Sequence, residues 1–200
     1  MELQTSLAGK TIVLTTFTEN DINERYISWL NDPEVVEYLE VRFSNRTLEG
    51  LRKSFRGRQL KRSSPLYNIT VKKTNCSIGT CSLDIDQNHL TAKYGYIVGD
   101  KNYWGTDAAL EAQVILIDYV FDVLKLRKIT GGTYNCHVPS RFNFARLGFV
   151  CEGILKEQYK GQNGEFHDHM RYGLLKSEWA LNRTKFNRLR TKKIVDKFNG

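Results

Sequence analysis

The stretch YGYIVGDKNYWGTDAALEA, which runs from Tyr94 to Ala112, decides the fold of this chain. It passes from an alternating strand pattern, through a turn that contains Gly105, into a long apolar helix. At such a junction the first N–H groups of the helix have no partner within it, and the helix dipole adds about half a positive charge. Gly105 leaves no Cβ between the main chain and a ligand. The stretch therefore predicts a turn that can hold a pyrophosphate group.

The residues outside this stretch predict further strands and helices on both sides of it. The predicted strands cover residues 11–16, 67–71, 77–85, 91–98, 127–134, 149–156 and 166–175. The predicted helices cover residues 19–30, 47–62, 107–124 and 140–147, with one helical turn over 34–39 and a basic helical tail from 178. Three antiparallel strands followed by a strand–helix–strand crossover are typical of an α+β domain. We expect one central mixed, mostly antiparallel sheet flanked by helices.

Length and composition fit one core-bearing domain with an appendage. The chain has 200 residues, of which 40% are hydrophobic, and we divide it into a domain at 1–177 and a basic tail at 178–200. The longest apolar run, 114–126, is interrupted by charges and is shorter than the roughly 20 residues that a membrane-spanning helix needs. The first residues lack the pattern of a secretion leader. We therefore expect a cytoplasmic protein without a membrane partner.

The cysteine and histidine spacings give little support to a disulfide framework or a metal site. Four cysteines are scattered without a CxxC pair, which is typical of reduced thiols in the cytosol. They are Cys76, Cys81, Cys136 and Cys151. His167 and His169 share one face of a predicted strand and form a candidate metal pair. Because no third ligand accompanies them in the sequence, we interpret them as surface or substrate-groove histidines and expect no metal.

The net charge of +8 is concentrated in two segments. Residues 42–62 carry +7, residues 176–200 carry +6, and the remainder carries −5. Two local patches predict two local roles, and not a nucleic-acid-binding surface over the whole molecule. The first segment is interpreted either as a solvated helix face or as a wall that attracts an acidic acceptor. The second is interpreted as a solvated or partner-docking helix, because few aromatic residues interleave its charges, and no nucleic-acid partner is expected.

Two motifs of this chain resemble those that bind acetyl-CoA in the GNAT superfamily. The first is the opening stretch at 94–112, and the second is SRFNFARLGF at 140–149. The segments YISWLNDPEVVEYLE at 26–40 and FHDHMRYGLL at 166–175 resemble the branch typified by ribosomal-protein N-terminal acetyltransferases. The resemblance covers about residues 10–177 of the chain. It implies the GNAT fold and transfer of acetyl from acetyl-CoA to a primary amine by direct attack in a ternary complex.

The resemblance also implies which residues bind the coenzyme. The strand end would pair with pantetheine, the turn would hold the pyrophosphate, and the second motif would flank the thiol. The implied residues are Ile97, Val98, Gly99, Asn102, Trp104, Gly105, Thr106, Asp107, Ala108, His137 and Phe144. Four of them depart from the family's usual residues: Asn102 replaces Arg or Gln, Asp107 replaces Gly or Ala, His137 replaces Asn, and Phe144 replaces a general-acid tyrosine. We expect the Asp107 carboxylate to turn away from the phosphates, because like charges repel.

The catalytic and acceptor-binding residues are less closely specified. Ser140 and Tyr96 are the catalytic candidates, with Ser140 or water protonating the leaving thiolate. The acceptor-binding candidates are Glu40, Arg42, His167 and His169. The carboxylate and the two imidazoles among them are also the candidate bases. Asp168, on the opposite face of its strand, is interpreted as a structural hydrogen-bonding partner.

Three functions remain open from the sequence. The leading hypothesis is acetylation of a small phosphate-bearing amine such as an amino-sugar nucleotide, because residues 42–62 would form a positive wall of the acceptor groove. The second is N-terminal acetylation of a ribosomal or other protein. The third is a non-catalytic acyl-CoA-binding module, since Asn102, Asp107 and Phe144 depart from the family pattern. The partner would be a small-molecule amine or a protein N-terminus, and a homo-oligomer is compatible with each.

Overall fold

The computed structural model describes residues 3–43, 46–61 and 63–193. The strands of this described part are β1 (Ser6–Ala8), β2 (Ile12–Thr16), β3 (Leu66–Val71), β4 (Cys76–Asp86), β5 (Thr91–Val98), β6 (Lys128–Tyr134), β7 (Val150–Lys160) and β8 (Phe166–Leu175). Its α-helices are α1 (Glu24–Asn31), α2 (Leu48–Gln59), α3 (Ala108–Asp118), α4 (Val138–Leu147) and α5 (Lys176–Lys193). Short 3-10 turns cover Glu19–Asp21, Glu40–Phe43 and Lys101–Tyr103, and a π turn over Tyr119–Val123 follows α3.

The strands form one sheet in the order β1-β2-β3-β4-β5-β6-β8-β7. Neighbouring strands are antiparallel except β5 and β6, which run parallel. The segment that contains α3 crosses over between these two strands, because parallel neighbours cannot be joined by a tight hairpin. The predicted α+β domain with a mixed, mostly antiparallel sheet is confirmed.

The main core lies where α3 packs on the sheet. Ala112, Leu116 and Ile117 of α3 are fully buried, as are Ile69 and Leu83 of the central strands. Burial of each large apolar side chain contributes about 1.5–3 kcal/mol relative to leaving it in water. The helix predicted over 107–124 is confirmed, and its last turn takes the π form.

Helices α1 and α2 form a second apolar cluster on the opposite face of the sheet, where Ile97 of β5 points by strand alternation. Asn23 caps α1 by accepting the N–H of Tyr26 at 3.0 Å, and Thr47 caps α2 by accepting the N–H of Gly50 at 3.1 Å. The buried members of this cluster are Phe17, Ile22, Leu30, Leu51 and Phe55. The two helices therefore form one wall beside the exposed end of β5.

No continuous helix forms over 34–39; two isolated turns replace it, closed by hydrogen bonds from the Val36 N–H to the Asp32 carbonyl at 3.1 Å and from the Leu39 N–H to the Val36 carbonyl at 2.9 Å. The Asp32 carboxylate accepts the N–H of Glu34 at 3.0 Å. The Arg42 guanidinium donates to the carbonyls of Glu37 and Leu39 at 2.9 and 3.1 Å. Side chains thus satisfy backbone groups that a helix would pair with one another.

Element boundaries also differ from the prediction elsewhere, and β7, predicted to end at 156, runs to Lys160. The strand β1 was not predicted, because three residues are too few to show a period, and its pairing with β2 defines it. Helix α1 begins at Glu24 after its cap, and not at 19–21, where a 3-10 turn forms. Helix α2 ends at Gln59, and Arg62, where the predicted helix ended, lies outside the described residues.

The first turns of α5 pack on the domain. Trp179 is buried in the main core, and its indole N–H donates to Asp118 Oδ1 at 2.8 Å. Arg183 forms ion pairs with Asp118 at 3.2 Å and with Asp122 at 2.8 Å. Residues 194–200 of the predicted tail lie outside the described part. Among the helices that the structure describes, none is long and apolar enough to cross a membrane.

Candidate active site

The parallel strands β5 and β6 part beside the predicted coenzyme motif. Their ladder ends at the pair Lys93–Thr130, whereas β5 stays paired with β4 as far as Val98. From Tyr94 onward, one edge of β5 is therefore turned toward a gap. An extended chain laid in this gap can exchange main-chain hydrogen bonds with β5. Pantetheine fits this edge, because its amide groups both donate and accept hydrogen bonds.

The turn after β5 has the backbone that the sequence predicts. Gly105 has a φ of 70°, which L side chains adopt only under strain, and a Cβ built on it meets no atom within 4 Å. The Trp104 indole N–H donates to the Val98 carbonyl at 2.8 Å and ties the turn to the strand end. Thr106 Oγ1 accepts the N–H of Ala108 at 3.3 Å. The open turn and the N-terminus of α3 can together hold an anion.

Side-chain contacts hold the two turn residues that depart from the family pattern. Asp107 Oδ1 lies 3.2 Å from Nη1 of Arg146 in α4. This ion pair joins the two motifs and offsets the carboxylate charge at the helix N-terminus. Asn102 donates to Asp100 Oδ1 twice, from its main-chain N–H at 3.1 Å and from Nδ2 at 3.0 Å. Both residues therefore stabilise the shape of the turn.

Packing explains two of the predicted coenzyme-binding residues. A Cβ at Gly99 would lie 2.0 Å from the indole of Trp29, so the glycine allows α1 to approach the end of β5. The Ile97 side chain packs against the cluster formed by α1 and α2. The side-chain positions of both residues follow from this packing, and the Gly99 N–H donates to the Ile78 carbonyl at 2.9 Å.

Phe144 lies in an aromatic cluster within the core. It is buried, stacks on Tyr172 with ring centroids 4.3 Å apart, and packs against Phe149 and Tyr94. Burial raises the pKa of Tyr94 well above its ordinary value, and its hydroxyl donates to Gln113 at 3.0 Å. Phe144 therefore packs in the core beside the gap between β5 and β6, and its side chain has no proton to donate.

The catalytic candidates lie on β5 and α4. Ser140 is buried in the first turn of α4. Tyr96 is half-buried, and its ring lies 6.4 Å from that of Tyr94. His137 immediately precedes α4 and stacks on Tyr38 with centroids 4.3 Å apart. Burial lowers the pKa of His137, which favours a neutral imidazole at pH 7.

Tyr134, at the end of β6, lies at the centre of the predicted acceptor residues. Its hydroxyl donates to Glu40 Oε1 at 2.8 Å and accepts from Arg42 Nη2 at 2.8 Å. It lies opposite His169 in the sheet, and its ring centroid is 6.1 Å from that of His167. The structure thus brings all four acceptor candidates around a tyrosine that sequence reasoning missed. No local sequence pattern points to Tyr134, because it meets His169 only through the pairing of β6 with β8.

Arg42 joins the 3-10 turn Glu40–Phe43 to β6 and β7 through side-chain hydrogen bonds. Besides its bonds to two carbonyls of the 37–39 turn, it donates through Nη2 to Tyr134 and to the carbonyl of Lys160. Its guanidinium also lies 5.3 Å from the centroid of the Tyr134 ring. Because both terminal nitrogens are occupied, Arg42 has little free hydrogen-bonding capacity for an acidic acceptor.

His169 has the environment of a proton acceptor. Burial lowers its pKa below the ordinary value of about 6.5, and the charges of Lys93 and Arg171 lower it further, although Glu40 opposes them. Its Nδ1 is buried without a hydrogen-bond partner among the described residues. Tyr159 meets the imidazole edge to face, with centroids 4.9 Å apart. The imidazole is therefore neutral at pH 7 and able to accept a proton.

The structural role predicted for Asp168 is confirmed. Its carboxylate accepts the N–H of Glu157 at 2.9 Å, and its carbonyl accepts the N–H of Asn135 at 2.9 Å. Glu157 has a φ of 48° and lies in the bulge where β7 changes register against β8. Past this bulge the Tyr159 ring stacks on Tyr134, with centroids 5.4 Å apart. Asp168 thus holds the bulge that shapes the acceptor side of the site.

The groove combines a carboxylate, aromatic rings and a neutral imidazole. Tyr38 and Tyr159 flank Tyr134, and Glu40 lies against its hydroxyl. Aromatic faces and a carboxylate attract a cation, and a neutral imidazole can deprotonate it. Within residues 3–43, 46–61 and 63–193, no group of three or more His, Cys, Asp or Glu side chains is placed to hold a metal ion.

The fold and this site define a class of enzyme, the acyltransferases that take an acyl group from coenzyme A. The model of the GNAT acetyltransferase domain matches residues 11–150. The chain belongs to this family, whose domain uses acetyl-CoA, and it is an N-acetyltransferase.

Known proteins similar to this chain are consistent with the family. The chain is 33% identical over 153 residues to p20, an uncharacterized N-acetyltransferase of Bacillus licheniformis, covering 75% of this chain and 85% of p20. It is 30% identical over 176 residues to YjcK, a probable N-acetyltransferase of Bacillus subtilis strain 168, covering 84% and 96%. Its fold is similar to spermidine N-acetyltransferase of Vibrio cholerae in complex with CoA and spermine, with a TM-score of 0.76, 20% identity, and coverage of 85% and 98%.

Proposed function

We propose that the acceptor is a small primary amine that binds as an ammonium ion in the groove beside Tyr134. The observation that carries this proposal is the hydrogen bond from the Tyr134 hydroxyl to Glu40, which holds a carboxylate among aromatic rings next to His169. Glu40 is exposed, so an ammonium ion can reach its carboxylate from solvent, and the neighbouring aromatic faces add to the attraction. The groove therefore favours a positively charged acceptor.

The proposed reaction uses His169 as the base and the edge of β5 as the support for the thioester. His169 takes one proton from the ammonium, and the neutral nitrogen then attacks the carbonyl carbon of the thioester. A main-chain N–H of the β5 edge stabilises the oxyanion while the C–N bond forms. As the C–S bond breaks, the second amine proton reaches the thiolate through Ser140 or water. A thiol pKa of about 8.5 makes assistance to this leaving group only modestly necessary.

A phosphate-bearing acceptor has less support in this groove. The positive wall expected from residues 42–62 would begin with Arg42, whose terminal nitrogens are engaged by protein oxygens. Further along the segment, Arg56 pairs with Glu19 at 2.5 Å on the outer side of α2. The similar fold of a spermidine N-acetyltransferase adds polyamines to the small amines worth testing.

The test is release of coenzyme A thiol from acetyl-CoA by the purified full-length protein over an acceptor panel. The panel contains polyamines, amino sugars, nucleotide-linked amino sugars and a peptide with a free N-terminus. The protein's own four cysteines set a background, which is measured without acceptor. We expect turnover with small cationic amines. Turnover with the peptide alone would instead support a protein N-terminus as acceptor, as membership of the ribosomal-protein branch would imply.

One further outcome would contradict enzymatic use of the site. Tight binding of acetyl-CoA in calorimetry without turnover on any acceptor would favour the acyl-CoA-binding module. Binding and turnover are therefore measured on the same preparation.

A further inference from the structure

A second cavity lies between α2 and the sheet, on the side of α2 that faces Tyr26 and the start of β3. Its volume is about 550 Å³, which lies within the range of small-molecule pockets. Its lining residues are Phe17, Ile22, Tyr26, Leu51, Ser54, Phe55, Gly57, Arg58, Lys61, Ser64, Leu66 and Asp84. None of these belongs to β5, to the turn that contains Gly105 or to the groups around Tyr134. The cavity is therefore distinct from the candidate active site.

The inner wall of the cavity is apolar and aromatic. The Phe17 ring packs against Tyr26 and Phe55, with centroids 4.9 and 5.4 Å apart. Leu51 and Leu66 complete this wall. An apolar or aromatic group of a ligand would be transferred from water to this preformed apolar surface. Such burial of apolar surface is the main source of affinity in pockets of this kind.

Among the residues that the structure describes, the rim of the cavity carries two cations and one carboxylate. Arg58 Nη2 is buried without a hydrogen-bond partner among the described residues and lies 3.8 Å from Asp84 Oδ1. That oxygen already accepts the Ser64 hydroxyl at 2.6 Å. Lys61 lies at the rim as well. One carboxylate thus faces two cations, so the rim favours an anionic group.

An exposed glycine of α2 lies at the mouth of the cavity. Gly57 lies in the last half of the helix and lines the cavity, and a Cβ built on it would meet no atom of the described residues within 4 Å. Glycine in a helix interior costs about 1 kcal/mol relative to alanine. The structure offers no packing reason for it, since the space above it is empty. Because Gly57 is exposed and also lines the cavity, a large side chain at this position can lie across the cavity mouth.

We propose that this cavity is a second ligand site, for a small amphipathic anion with an aromatic or branched aliphatic body and one carboxylate, sulfonate or phosphate. The body lies on the wall formed by Phe17, Tyr26 and Phe55, and the anionic group reaches Arg58. The proposal does not depend on the identity of the acetyl acceptor.

The probe for this site is anilinonaphthalene sulfonate, an aromatic anion whose fluorescence rises in an apolar site. The full-length protein is titrated with the probe at saturating coenzyme A, so that the coenzyme site is occupied. We expect one bound probe per chain that coenzyme A does not displace. Complete displacement by coenzyme A would overturn the proposal, because the probe would then occupy the coenzyme site.

Matched variants locate the probe. Gly57→Phe places an aromatic ring at the mouth of the cavity and is expected to weaken probe binding more than about tenfold, whereas Gly57→Ala retains it. Arg58→Gln is expected to weaken binding by about threefold to tenfold, whereas Arg52→Gln, at an exposed position of the same helix, has no effect. Equal binding by Gly57→Phe and wild type, or equal loss in both arginine variants, would overturn the proposal.

Folding of the filled variant is checked by thermal unfolding. Gly57→Phe is expected to unfold at or above the wild-type temperature, because it removes a helix-interior glycine into empty space. If it fails to fold, Ser54→Trp blocks the same cavity from an exposed position one turn earlier. Retained probe binding in a folded Ser54→Trp variant would count against the site.

Discussion

The Tyr134 hydroxyl is the residue-scale feature on which the acceptor groove depends. It stands between a carboxylate and a guanidinium, donating to Glu40 and accepting from Arg42, both at 2.8 Å. A hydrogen bond to a charged group contributes about 1.5–3 kcal/mol, more than a neutral one. Loss of this hydroxyl would leave Glu40 free to rotate or to bind water.

Tyr134→Phe is expected to lower kcat/KM for the amine by about tenfold to a hundredfold, following the loss of a charged hydrogen bond. The KM for acetyl-CoA should not change, because the hydroxyl lies away from the turn that contains Gly105. Steady-state kinetics with each substrate varied in turn measures both values. Tyr159→Phe, which alters a neighbouring ring stacked on Tyr134, is the control. Equal losses in the two variants would show that the Tyr134–Glu40 bond has no special role.

The lowered pKa of His169 predicts the acid side of the pH profile. As the pH falls through this pKa, which lies below about 6.5, the imidazole becomes protonated and can no longer accept the ammonium proton. We expect kcat to fall on the acid side with a midpoint below 6.5. His169→Gln should remove this limb and lower kcat about a hundredfold at pH 7.5. His167→Gln should keep the acid limb. If the acid limb is lost in His167→Gln and kept in His169→Gln, His167 is the base.

At the scale of elements, the segment between α1 and α2 connects the coenzyme turn with the acceptor groove. Lys101, within the turn region, pairs with Asp32 and Glu34 of this segment, both at 2.7 Å. At its other side, Gln162 of the β7–β8 hairpin donates to the Pro33 carbonyl at 2.7 Å. The candidate coenzyme turn and the proposed acceptor groove therefore both contact one shared segment.

Lys101→Ala is expected to raise the KM of both acetyl-CoA and the amine, because it releases the shared segment from the turn. The melting temperature should change little, since exposed ion pairs contribute little to stability. The effect should shrink at high salt, where screening weakens the wild-type pairs as well. Lys53→Ala, on the exposed side of α2, is the control. An effect confined to the KM of acetyl-CoA would argue against a connection between the two sites.

At the scale of the whole molecule, one sheet separates two packed layers. Helices α3 and the start of α5 enclose the main core on one face, and α1 and α2 form the smaller cluster on the other. The gap between β5 and β6 lies where the strand order passes from the antiparallel half to the crossover half. The candidate site occupies the place where the sheet itself is interrupted.

Global stability tests whether α5 belongs to the domain. Trp179 is 2% exposed within the main core, so Trp179→Ala should lower the free energy of unfolding by about 3–5 kcal/mol. Leu181→Ala, at a position that is 76% exposed, should change it by less than about 0.5 kcal/mol. Urea unfolding followed by circular dichroism measures both. A small effect of Trp179→Ala would mean that α5 packs only loosely on the domain.

Local patterns predicted most of the fold. The alternating strands, the apolar helix α3 and the turn at Gly105 follow from side-chain period and from glycine's backbone freedom, which act over a few residues. The helix predicted at 34–39 is replaced by two isolated turns, and Asp32 and Arg42 also bind backbone groups there. The Arg42 contacts in turn depend on β6 and on the β7–β8 hairpin, which no local pattern contains.

The sequence by itself therefore determined the class of fold and predicted the candidate coenzyme-binding stretch, because both depend on contiguous residues and on main-chain geometry. Tertiary structure alone decided the acceptor groove, since Glu40, Tyr134 and His169 come from three separate segments and meet only through strand pairing and side-chain hydrogen bonds. Tertiary structure likewise decided that the Arg42 guanidinium is engaged by protein oxygens, because free hydrogen-bonding capacity depends on the neighbours of a side chain. For the same reason it decided that Gly57 lies beside a cavity, since the space around a residue also depends on its neighbours.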